Sequence, residues 1–215
     1  MDIKGYYLKG KYAEIANKFC SISGLYGLTT VEIDMVAWSH HHNLNATIKE
    51  IPLPTAIESH HLIIEMANIV IDSGDVETKI SGLRLRPLHL WAIGETDVAI
   101  DRIESAIKLF PNDSGLWNTK GLLEIYGKKF KECVVTSAVI IGLSLRDDDY
   151  RTAGNGSRQM AIAVKESTDN IPAAIGWLSQ AVRYWKISQG ITEWDATMHI
   201  TGAENMAHKW GGAIS

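Results

Sequence analysis

The chain of 215 residues is 46% hydrophobic and 21% charged, enough to bury a sizeable core and too apolar for a disordered chain. A formal net charge of -4 and an isoelectric point near 6.1 give no basic footprint for nucleic acid or an anionic membrane. Cys20 and Cys133 stand far apart and outside any C-x-x-C spacing, which excludes a disulfide framework and a cysteine zinc site.

Helical periodicity dominates, with no alternating run bounded by hairpin turns, so an all-α fold is expected. In chain order the predicted helices cover 3–22, 29–44, 54–73, 76–93, 96–110, 114–127, 129–145, 151–167, 171–188 and 191–210. Between them fall the breakers Gly24 and Gly27, Pro52 and Pro54, Ser73-Gly74-Asp75, Pro111-Asn112-Asp113, Asp147 to Asp149, and Gly190. Thr96 and Ser114 are the expected N-caps of their helices. Connections this short set consecutive helices antiparallel. The opening MDIKGYYLKGKYAEIANKF is charged throughout and reads as no signal peptide. The longest apolar stretch, Val134 to Leu145, is too short for a membrane span, so a soluble cytoplasmic chain is expected.

The first half carries two polar features. His40, His41 and His42 close the predicted second helix; they point three ways around it, so one metal cannot take all three. Two of them would meet His60 or His61 if the second and third helices packed side by side, but a surface cluster at a helix C-terminus is the plainer expectation. In ESHHLIIEMANIVID, the residues Glu58, His61, Glu65, Asn68 and Asp72 make one polar stripe at steps of three and four. Glu58 and His61 have the E-x-x-H spacing that di-iron bundles place on two helices, which makes Glu58, His61 and Glu65 the candidate metal ligands. No second E-x-x-H completes the set, and Glu204 with His208 is one residue too far apart. A solvated face with charge pairs along it is therefore expected, and no cofactor.

Residues 80–147 contain an internal repeat. TDVAIDRIESAIKLFPND places Ala99, Ile103, Ala106 and Leu109 on one face and Pro111 at the exit. SGLWNTKGLLEIYGKKFKEC follows with Trp117 as a large anchor and Gly121 as a close-packing notch. A shift of 34 residues pairs Leu83 with Trp117, Leu88 with Leu122, Ala99 with Cys133, Ala106 with Ile140 and Leu109 with Leu143. IPAAIGWLSQAVRYWK repeats the small-residue step at Ala174 and Ala181 without a closing proline. Pro87 falls inside the first helix of the first unit and is expected to kink it or delay its start, while Lys120 and Glu124 depart from the apolar pattern. AGNGSR at 153–158 lacks the lysine and the preceding strand of a P-loop and reads as a flexible joint.

The repeat length and the order of tryptophan, glycine, alanine and proline resemble the tetratricopeptide repeat family. The resemblance implies a right-handed array of stacked antiparallel hairpins over 76–190. Residues 1–75 would form a helical cap and 191–215 a C-terminal helix, the whole chain 1–215 being one domain. It further implies a concave groove lined by the first helix of each pair, here Arg84, Leu88, Trp91, Asn118, Leu122, Ile125 and Tyr126. This set lacks the clustered lysines and asparagines with which family members clamp a C-terminal carboxylate. The same aromatics become plain core if residues 1–75 fill the groove.

No nucleophile elbow, zinc-protease motif or calcium loop is present, so a binding role is expected rather than an enzymatic one. The expected function is protein–protein interaction or scaffolding, with another protein or a peptide as partner. The alternatives are a helical metal-binding protein or enzyme using the Glu/His cluster, and a structural subunit that self-associates through its C-terminal tryptophans.

Overall fold

The computed structural model of the protein describes residues 1–47, 52–72, 75–192 and 195–214. Of the described chain, 83% is helical and no strand occurs, as the all-α reading requires. The helices are α1 (Ile3–Leu8), α2 (Tyr12–Lys18), α3 (Thr30–Thr47), α4 (Leu53–Asp72), α5 (Val76–Ala92) and α6 (Thr96–Leu109). They continue with α7 (Ser114–Tyr126), α8 (Phe130–Arg146), α9 (Tyr150–Thr168), α10 (Ile171–Thr192) and α11 (Thr197–Lys209).

Several boundaries differ from the periodicity for local reasons. The first predicted helix is divided at Gly10, whose φ of +67° lies in the left-handed region. The cap of α7 is Asp113 rather than Ser114, because its carboxylate already accepts from the Leu116 N–H at 2.8 Å. α5 starts at Val76 and carries a buried Pro87 inside it, so the proline does not delay the helix. α10 runs through the exposed Gly190, a cost of about 1 kcal/mol that a long, well-packed helix tolerates. Ser73 and Gly74, named as breakers, lie outside the described residues.

The chain forms two compact units, residues 1–106 and 107–215, divided within α6. In the first, α1 and α2 pack on α3, and α3, α4 and α5 pack on one another. Their core includes Val36, Ile63, Met66, Val70 and Leu85, all fully buried. α4 and α5 approach closely because residue 82 is glycine: a Cβ there would lie 2.9 Å from the Ala67 carbonyl oxygen.

In the second unit each of α7 to α11 packs on the next, and α7 also lies against α9. Trp117 donates from its indole nitrogen to the Pro111 carbonyl at 2.8 Å, joining two marks of the repeat. Gly121 is the notch expected of it, since a Cβ would overlap the Gln159 side-chain carbonyl. AGNGSR is not a joint. It lies inside α9, where Gly154 seats the Trp185 indole and a Cβ on Gly156 would come within 2.7 Å of Ile140. Glycine is used here for close approach between helices, at the expense of helix propensity.

Ala99, Ile103 and Ala106 are buried as the repeat register requires. Leu109 is not: it is 67% exposed, because the step of four after Ala106 reaches half-buried Phe110. Ala106→Leu should overpack its site and cost about 1–3 kcal/mol. An unchanged urea midpoint would mean that the site has room the close packing denies.

Candidate functional site

Glu58, His61 and Glu65 are exposed along the outer face of α4, the solvated arrangement expected of the stripe. The stripe's far end behaves differently, because half-buried Asn68 accepts from the Arg86 guanidinium at 2.9 Å. No group of three His, Cys, Asp or Glu side chains able to hold a metal ion occurs among the described residues.

The histidines of α3 are where the structure departs furthest from expectation. α3 continues to Thr47, so His40, His41 and His42 lie within it, half-buried rather than at a solvated end. They do diverge. His40 Nε2 bonds to the Phe19 carbonyl at 2.9 Å, and the His42 ring rests on Tyr12 with centroids 4.5 Å apart. His41 turns towards α5, where its Nδ1 lies 3.0 Å from Nε2 of His89. The other nitrogen of His89, Nδ1, lies 2.7 Å from Nδ1 of His60 on α4. Asn45, one turn beyond His41, donates from its amide nitrogen to His41 Nε2 at 3.0 Å.

Three helices are thus joined by one continuous chain, Asn45–His41–His89–His60. Each neutral imidazole has one N–H, so the Asn45 donor fixes the direction of every bond in it. His41 Nε2 accepts, so His41 Nδ1–H donates to His89, whose Nδ1–H donates to His60. Burial keeps the rings neutral. It pushes His41 down to about 4, aided by the neighbouring His42 and His60. His89 is held well below its ordinary value by burial and then by His41 and His60, and His60 is lowered by burial and by His61.

A second, half-buried network joins two of these helices, α3 and α5. Ser81 Oγ accepts from the Trp38 indole at 2.7 Å and donates to the Asp34 carboxylate, 2.8 and 2.9 Å from its two oxygens. Burial pushes Asp34 up to about 6, against the Ser81 bond and the Arg84 charge. Arg84, Leu88 and Trp91 are half-buried on α5, the helix that α3 and α4 cover.

In the second unit Asn118, Leu122 and Ile125 are half-buried on α7, and Tyr126 is 55% exposed at its end. Gln159 of α9 donates to Asn118 Oδ1 at 2.9 Å, which aligns the two helices. One residue earlier on α9 stands Arg158, whose half-buried guanidinium makes no hydrogen bond or ion pair among the described residues. Its pKa is lowered by burial, with Tyr126 acting in the opposite sense. Beneath this face Cys133 is buried and its thiol pushed up to about 11, so it is no nucleophile. Glu124 is also buried, 3.9 Å from Lys120, and burial raises its pKa.

Sequence reasoning named His41 and His60 but not His89, and named Tyr126 but not Arg158. A lone histidine between Leu88 and Leu90 was the available signal for the first. No protein-family model matches the chain, and neither does any curated protein.

Proposed function

We propose that the protein is an interaction module of the tetratricopeptide type, and that the α7/α9 face of the second unit takes an extended peptide carrying an acidic side chain. The observation that carries this reading is Arg158, a cation sunk into the face with no anionic partner among the described residues. Partial desolvation of a guanidinium that has no anionic partner is costly, and a carboxylate from a ligand would offset that cost with a bidentate pair. Exposed Tyr126, with half-buried Leu122 and Ile125, supplies the apolar anchor beside it. The successive packing of α7, α8, α9 and α10 supports the hairpin array, and the 34-residue repeat supports the family.

The test is selection from a random peptide library, followed by anisotropy titration of the enriched sequences. Enriched peptides should share an Asp or Glu, and Arg158→Met should weaken them at least about tenfold, the scale of a lost charged hydrogen bond. Tyr126→Ala should weaken them comparably, with little change in melting temperature because its ring is mostly exposed. Enrichment without acidic residues, or binding indifferent to Arg158→Met, would remove the reading.

A further inference from the structure

We propose that His41, His89 and His60 are a proton latch across α3, α5 and α4: the chain holds when neutral or with one added proton, and opens when a second arrives. The number of hydrogens that the rings can hold sets the limit. Three imidazoles offer six nitrogens, of which four face each other in two bonds, His41 Nδ1 to His89 Nε2 and His89 Nδ1 to His60 Nδ1. At 3.0 and 2.7 Å each bond has room for one hydrogen only. The two terminal nitrogens, His41 Nε2 and His60 Nε2, can each carry one more.

The intact chain therefore accommodates three hydrogens or four. Three is the neutral state. The fourth enters at either end: Asn45 turns its amide to present Oδ1 to a newly protonated His41 Nε2, and the bonds behind it keep or reverse their direction. The positive charge is then shared along the three rings without the loss of any inter-ring bond. A fifth hydrogen has no place. It sets N–H against N–H in one of the two bonds, inside a site where His89 is 2% and His60 7% exposed. Isolated rings would accept three added protons where this chain accepts one.

Among the described residues no group relieves the second charge. Those that act on the three rings are themselves histidines: His42 on α3 beside His41, His61 on α4 beside His60, and the rings upon one another. Tyr12 of α2 stacks on His42. Asp34 of α3 is bonded to Ser81 of α5, with Arg84 acting on it. Burial and mutual repulsion keep all three rings below their ordinary pKa, which places both proton uptakes on the acid side of neutrality. What the second proton releases is the cross-link between α3, α4 and α5, so acid acts on the first unit as a threshold rather than a gradual titration.

The unaltered full chain serves for the test, because it is folded at neutral pH at the start of the titration. Imidazole nitrogen shifts of His41, His60 and His89 would be followed by NMR from pH 7.5 to 3, with amide exchange of α3, α4 and α5 read in parallel. The latch requires partial shifts on the rings that sum to one proton while the amides stay protected, then joint loss of protection as further protons bind. Two rings reaching full imidazolium with protection intact would overturn it. So would amides that stay protected to pH 3. His60→Asn keeps an acceptor for His89 and removes one titrating ring; opening should then take up one proton fewer than in the parent, and an unchanged proton number would also overturn the latch.

Discussion

Trp185→Ala is expected to lower the stability of the second unit by about 3–5 kcal/mol, the range for a large side chain removed from a closed core. Trp185 is fully buried among Ala161, Leu178, Ala181 and Val182. Its indole nitrogen donates to the Arg151 carbonyl at 3.3 Å, and its ring faces His199 with centroids 5.3 Å apart. The face of α9 beneath it is bare at Gly154, so no neighbouring side chain is placed to collapse into the space left behind. The check is a urea midpoint shift read at fixed m-value. A cost under about 1 kcal/mol would mean that the helices close over the site after all, against the usual partial relaxation of cores.

The second large effect is on pH dependence. The first unit should lose stability as pH falls from about 6.5 towards 4, because histidines with depressed folded-state pKa values bind protons more weakly in the folded chain than in the unfolded one. His41 alone, at about 4 against an ordinary 6.5, spans 6.5 − 4 = 2.5 pH units. That is about 3 kcal/mol, present in full above about pH 6.5 and gone below about pH 4. His89 and His60 act in the same direction. Asp34 opposes them. Its carboxyl, pushed up to about 6 from 3.8, penalises the folded state above about pH 6, and the penalty fades as pH falls towards 4.

Asp34→Asn keeps an acceptor for Ser81 and removes the opposing charge. It should raise stability at pH 7 by on the order of 1–2 kcal/mol, allowing for solvent screening of a half-buried group. It should also steepen the acid loss. Urea midpoints at pH 7, 5.5 and 4.5 for parent and variant decide the matter, and parallel profiles would sink the assignment.

The helices were legible because burial follows the 3.6-residue period, and the notch at Gly121 because a glycine four residues past a tryptophan marks a close approach. Leu109 was misplaced because two registers, 106 to 109 and 106 to 110, are both helical steps, and only packing selects between them. Gly154 and Gly156 read as a joint because glycine weakens a helix locally; Trp185 and Ile140, which need those bare positions, are remote in sequence. The histidine chain lay beyond reach for the same reason. Its bonds join residues 48 and 29 positions apart, across helices whose relative rotation no local pattern encodes.

The bare face of α9 also bears on how the second unit assembles. Between Tyr150 and Arg158 the segment reads Y-R-T-A-G-N-G-S-R, with two glycines, an asparagine, a serine and a threonine, so it is a poor helix on its own. Its order comes from α8 on one side and α10 on the other, the helices that fill the glycine seats with Ile140 and Trp185. α9 is therefore helical through its neighbours rather than through its own propensity. A chain cut after Thr168 would lose α10 and, with it, much of the reason for α9 to be helical, which makes the three helices one cooperative block rather than separable layers.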